Sequence, residues 1–152
     1  MKTHAMQRSL EHLRETGWLA TSVEKWIPVA GNWKKGKRVD AFGFGDILAC
    51  RRIGLVSHQS NPPANFVTGW RQEIALVQTF PLARWNDHVE KLCGKVEGQE
   101  YIALNAEKWR KAGGLIIFHG WAYKVLRDSN GVRIKSKSGK SKYGWQLREE
   151  LL

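Results

Sequence analysis

The stretch that most limits what this chain can fold into is Glu73-Ile-Ala-Leu-Val-Gln-Thr-Phe80. Its apolar run shows no polar alternation until it breaks off at Gln78 and Thr79. Such a run reads as a strand buried on both faces, which requires a sheet covered on each side. A polar residue closing a strand of this kind needs a partner or a task. An earlier stretch, Arg38-Val-Asp-Ala-Phe-Gly-Phe-Gly-Asp-Ile-Leu-Ala-Cys50, sets a carboxylate, Asp46, at the mouth of a second apolar strand. Gly43 and Gly45 flank Phe44 and let the backbone approach closely there. If the two strands are neighbours, Asp46 and Gln78 meet at one sheet edge, where a divalent metal could sit. Taken separately, Asp46 also fits as a turn cap and Gln78 as an ordinary strand-end amide.

Along the chain, His4 to Thr16 has helical periodicity around Leu10 and Leu13, with Gln7 and Glu11 on one face and Gly17 as the breaker. Trp18 to Ile27 reads as a first strand closed by Pro28. Residues 31–38 read as a basic loop holding Lys34, Lys35, Lys37 and Arg38, either a solvated turn or a phosphate contact. Strand two is expected over Asp46 to Arg52 and strand three over Glu73 to Thr79. The irregular stretch between them, Gly54 to Trp70, is long enough to suggest a functional loop. An amphipathic helix over Leu82 to Leu92 carries Arg84, His88 and Lys91. Asn105 is expected to cap a short helix, Ala106 to Ala112, ahead of a strand beginning at Leu115. Residues 124–142 alternate around the Asn130-Gly131 turn, a strong hairpin signal. Gly144 to Leu152 reads as a short docking helix or strand. No internal repeat is evident.

At 152 residues the chain is expected to form a single domain around one core. Neither a membrane-spanning run nor an apolar signal core is visible, so the expectation is a cytoplasmic protein with no membrane partner. Cys50 and Cys93 have no metal-ligand spacing and read as reduced core thiols. Lys and Arg number 25 against 14 acids, a formal net charge of +11, and eight tryptophans accompany them. A balance of that sign favours a polyanion, most often nucleic acid. Six basic residues and one acid between Val125 and Lys142 form the densest patch, including Lys135, Lys137, Lys140 and Lys142.

The order helix, strand, strand, strand, helix, strand, with a carboxylate opening strand two and a polar residue closing strand three, resembles the PD-(D/E)xK nuclease superfamily in its Holliday-junction-resolvase-like branch. Leu13-Arg-Glu-Thr-Gly-Trp18 resembles the end of that family's first helix. Gly45-Asp46-Ile-Leu-Ala stands where the family has Pro-Asp, and Leu76-Val-Gln78 where it has the Glu of Glu-x-Lys. Gly98 to Phe118 resembles its covering helix and last core strand. The resemblance implies an α/β fold with a restriction-endonuclease-like αβββαβ core over about residues 5–124, a mixed central sheet flanked by helices, and a basic C-terminal hairpin over 125–152. It further implies metal-dependent hydrolysis of DNA, with RNA also open, using Mg²⁺ or Mn²⁺ at Asp46 and Gln78. A resolvase-like role would need a homodimer.

Two departures are plain. The family's glutamate is Gln78 here, and its lysine position holds Phe80. Asp40 is the nearest candidate for a second charge, with Glu24 and Glu11 behind it, and Lys91 is the candidate cation. Lys34, Lys35, Lys37, Arg38, Arg84 and the four tail lysines are the candidate nucleic-acid contacts. His88 and His119 are read as structural, since no partner is visible for either. A binding module that has lost catalysis and an interaction subunit of a larger complex remain the alternatives.

Overall fold

The computed structural model describes residues 5–30, 32–56 and 67–152. The elements are α1 (Ala5–Glu15), β1 (Leu19–Ser22), β2 (Lys25–Val29), β3 (Asn32–Val39), β4 (Ile47–Val56), β5 (Val67–Pro81), α2 (Trp85–Leu92), α3 (Glu100–Lys111), β6 (Leu115–Val125) and β7 (Tyr143–Leu151). The fold is mixed α/β. Five strands form one sheet in the order β1-β4-β5-β6-β7, and β2 and β3 pair as a separate two-stranded ribbon. All neighbours are antiparallel except β5 and β6, which run parallel. A parallel pair cannot be closed by a tight turn, and α2 and α3 make the crossover.

Strand β5 is buried on both faces. Ala75 and Val77 pack with Leu10 and Leu13 of α1, with Ile47 and Ala49 of β4, and with Ile117 of β6. Leu76 and Phe80 pack into the opposite core with Trp85 and Leu92 of α2, Ile102 and Ala106 of α3, and Phe118 of β6. Each fully buried aliphatic side chain contributes about 1.5–3 kcal/mol, so a strand feeding two cores anchors the whole sheet. Helix α1 is further tied down where Trp121 Nε1 donates to Ser9 Oγ at 2.8 Å.

The structure corrects several local expectations. Trp18 to Ile27 is not one strand, because the chain turns at Val23 and Glu24 and starts again as β2. Pro28 does not close it; it sits inside β2 opposite Gly36, which a ribbon with free edges tolerates. Most of the expected basic loop is strand β3. Asn105 lies within α3 rather than capping it, the helix having begun at Glu100. Cys93 is exposed, not a core thiol, and Cys50 is half-buried; both are free. Of the stretch Gly54 to Trp70, residues 57–66 lie outside the described residues.

The C-terminal β6–β7 hairpin is closed by residues 126–142, two successive lobes whose bases recur at Leu126, Ile134 and Lys142. Arg127 bridges to Arg133 in the first and Lys135 to Ser141 in the second. Gly131 and Gly139 take the same left-handed conformation, φ 78° in each. Backbone bonds from Ile134 N to Leu126 O, Lys142 N to Ile134 O and Leu126 N to Lys142 O join the lobe bases in a ring. Among the described residues no helix is long and apolar enough to cross a membrane.

At Gly120 the segment that leads into α2 packs tightly against the sheet. It pairs with Phe80, and a Cβ there would lie 2.8 Å from both Leu82 Cδ1 and Trp85 Cε3. Because the indole ring has no room to yield, Gly120→Ala is expected to cost about 1–3 kcal/mol, seen as a lowered midpoint in thermal unfolding.

Candidate functional site

Three carboxylates come together because three pieces of backbone end at one place. Glu24 immediately precedes β2 and Asp40 immediately follows β3. The first pair of that ribbon, Lys25 with Val39, sets the two acids side by side at its open end. Asp40 and Asp46 in turn flank a tight turn closed by the bridge between Ala41 and Gly45, with Ala41 N to Gly45 O at 2.8 Å and Gly45 N to Ala41 O at 3.0 Å. That turn requires left-handed backbone at Phe42 (φ 56°) and Gly43 (φ 86°), which is costly for a phenylalanine. Helix α3 holds it in place: Asn105 Nδ2 donates to Phe42 O at 3.2 Å, and the Ile102 side chain packs against Gly43. Val23 N donates to Asp46 O at 2.9 Å and links the third segment. As a result Glu24, Asp40 and Asp46 each offer a carboxylate oxygen, all within 4.8 Å of one another.

Asp46 is anchored to β5 on both sides of Gln78. Its backbone N donates to Val77 O at 3.0 Å, and its Oδ2 accepts from Thr79 N at 2.6 Å. Thr79 thus contributes its backbone N–H. The Asp46 carboxyl is pushed up from 3.8 to about 7. Burial is the main cause; the Thr79 N–H opposes it, and the charges of Asp40 and Glu24 raise it further. Gln78 is 2% exposed, and its Oε1 has no hydrogen-bond partner among the described residues. Strand alternation puts it on the same side as Leu76 and Phe80, the side toward which Leu48, two residues after Asp46, also packs. A buried carbonyl oxygen left unpaired costs about 1–3 kcal/mol. The three carboxylates make an all-oxygen donor set that fits a hard divalent ion such as Mg²⁺ or Mn²⁺.

The other candidates lie elsewhere. Phe80 is buried in an aromatic cluster, stacked on His88 with centroids 4.1 Å apart and edge-on to Trp85 and Phe118. Lys91 is half-buried on α2, in a groove lined also by Arg84, Asp87, His88 and Gln99; none of the three clustered acids lines it. Burial, then the charges of Lys91 and Arg84, lower the His88 pKa to about 4. Glu11 pairs with Gln7 on α1 at 3.0 Å, apart from the acid cluster. Lys35 and Lys37 are exposed on β3, as are Arg84 at the start of α2 and Lys135, Lys137, Lys140 and Lys142 on the C-terminal lobes. The side chains of Lys34 and Arg38 lie outside the described residues.

Glu24 is the member of the cluster that sequence reasoning weighed least. The only signal that would have raised it is the ribbon register, which pairs residues 25 and 39 and so brings 24 beside 40. No protein-family model, curated protein or solved structure matches the chain.

The raised Asp46 pKa makes a signed prediction. Between about pH 4 and 7 the folded chain keeps a proton on Asp46 that the unfolded chain has lost, so stability falls as pH rises through that window. At about 1.4 kcal/mol per pH unit the full effect is on the order of 4 kcal/mol. Asp46→Asn is expected to be more stable than wild type at pH 8 and to show no gain at pH 4. Millimolar Mg²⁺ should narrow the pH 8 difference by stabilising wild type alone, as read by urea unfolding.

Proposed function

We propose that this protein is a metal-dependent endonuclease that hydrolyses phosphodiester bonds in DNA, built on a restriction-endonuclease-like core. The observation that carries this reading is the Glu24–Asp40–Asp46 carboxylate cluster at the start of β4, tied by Asp46 to the end of β5. The element order supports it. Leaving out the β2–β3 ribbon, the chain runs α1, β1, β4, β5, α2–α3, β6, the order expected of such a core. The net charge of +11 and the exposed lysines on β3 and on the C-terminal lobes suit a polyanionic substrate.

The residues have separable roles. Asp46, Asp40 and Glu24 would hold the ion through carboxylate oxygens, with Gln78 Oε1 as a candidate further donor. The Thr79 N–H fixes one Asp46 oxygen, and a side-chain hydrogen bond with Asp40 ties the carboxyl to its neighbour. A bound Mg²⁺ or Mn²⁺ supplies charge neutralisation at the phosphate and a lowered pKa for water. Arg84 and Lys91 present positive charge from the start and end of α2, where they attract the DNA backbone and place it. Asp46 resists ionisation near neutrality until a cation offsets Asp40 and Glu24, so occupancy and deprotonation of the site are linked.

One observation favours a second reading. The position where a catalytic lysine is expected holds Phe80, which is 2% exposed among aromatic rings. A protein that has kept the nuclease core and the basic surface while losing catalysis would bind nucleic acid without cutting it.

Labelled linear, nicked and four-way-junction DNA, with single-stranded RNA alongside, incubated with Mg²⁺ or Mn²⁺ separates the two. The nuclease reading expects cleavage that falls at least about 100-fold in Asp46→Ala and in Asp40→Asn, and about 10–100-fold in Lys91→Ala. Salt-sensitive binding with no cleavage by wild type under either ion would sink it in favour of the binding module.

A further inference from the structure

A second set of donors lies on the face of the sheet covered by α1, away from the side that holds Gln78. His119 of β6 stands opposite Glu149 of β7 in the antiparallel register. His12 of α1 reaches the same pair, one turn beyond Ser9, whose hydroxyl accepts from Trp121. Both imidazole Nε2 atoms converge on one carboxylate oxygen, His12 at 3.2 Å and His119 at 2.9 Å from Glu149 Oε2. The two rings meet edge to face with centroids 5.5 Å apart. A glutamate that only accepted hydrogen bonds would serve two donors better with its two oxygens. Here three donor atoms from three elements gather in one place, all within 4.8 Å of each other.

We propose that His12, His119 and Glu149 form a binding site for a borderline transition-metal ion, Zn²⁺ foremost, that clamps α1 to β6 and β7. The chemistry selects the ion. Two imidazoles and one carboxylate suit Zn²⁺, Co²⁺ or Ni²⁺, whereas Mg²⁺ prefers oxygen alone. The spacing fits as well: donors about 2.0–2.1 Å from a tetrahedral ion stand about 3.3 Å apart, within a few tenths of an ångström of the two distances to Glu149. His119 is fully buried, and burial keeps its ring neutral, as a ligand must be. The His12 and Glu149 side chains are 32% and 49% exposed, so an ion has a way in and water has a way to the remaining coordination position. His119 Nδ1 is buried without a partner among the described residues. A ligating ring is usually backed by an acceptor at that nitrogen, and its absence sets the expected affinity about 10–100-fold below a fully backed site. The site does not depend on the nuclease reading, since it shares no residue with the carboxylate cluster.

Co²⁺ titration of the full chain, followed by visible absorption, tests the proposal, with Zn²⁺-dependent thermal unfolding as a second readout. The expected result is saturable binding of roughly one ion per chain at these donors, weakened at least about tenfold in His12→Ala and in Glu149→Gln and unchanged in Glu107→Gln, an exposed carboxylate on α3 outside both clusters. Zn²⁺ should raise the unfolding temperature of wild type and not of His12→Ala. Both His12 and Glu149 are partly exposed, so these variants keep the core, and far-UV circular dichroism checks that they are folded. No absorption at millimolar Co²⁺, or equal affinity in wild type and His12→Ala, overturns the proposal whatever the outcome of the DNA cleavage experiment.

Discussion

Burial of β5 on both faces is the constraint on which the other elements depend. Its odd-numbered residues Ala75 and Val77 require apolar cover from one side, and α1 supplies it. Its even-numbered residues Leu76 and Phe80 require cover from the other, and α2 and α3 supply that. Strand β6 runs parallel beside it, so the chain must cross over through those helices. The apolar run then stops at Gln78 and Thr79, and the Thr79 N–H donates to the Asp46 carboxylate. A polar site at the end of the strand is thus what remains once the apolar requirement has been met.

That site is electrostatically unfavourable when all three acids are charged. Glu24, Asp40 and Asp46 repel one another in a half-buried setting, and the folded protein responds by keeping a proton on Asp46 to near neutrality. The backbone beneath the acids carries strain as well, in the positive φ of Phe42. Packing holds the arrangement: Ile102 and Asn105 of α3 clamp the turn, and the β2–β3 ribbon register fixes the other two acids. Local cost maintained by distant packing is the usual condition of a functional site. The His12–His119–Glu149 cluster is built differently. Its donors sit on α1, β6 and β7, so it couples the first described helix to the last strand, with nitrogen-rich chemistry in place of oxygen.

Where sequence reading succeeded and failed follows from the range of the forces involved. The double burial of β5 was legible because apolar continuity is a local property of the chain. Asp46, Gln78 and Asp40 were legible as candidates because each sits at the rim of an apolar run. The β2–β3 ribbon was not, since Lys35 and Lys37 alternate with no apolar face to mark a strand, and Pro28 looked like a terminator. Asn105 was mistaken for a helix start because Tyr101 and Leu104, both exposed, hide the periodicity of the first turns of α3. His119 was set aside for want of a partner, and its partners lie 107 and 30 residues away in sequence.

By itself, then, the sequence determined the layered α/β character, the central strand, the basic surface and the position of one carboxylate at a strand mouth. All of these rest on hydrophobic periodicity and on charge counts, which neighbouring residues decide among themselves. Only the tertiary structure decided that Glu24 joins Asp40 and Asp46, that Phe80 is locked among Trp85, His88 and Phe118, and that two histidines share one glutamate oxygen. Those pairings are set by strand register and helix docking, where the free energy of packing many residues at once selects neighbours that no local pattern can specify.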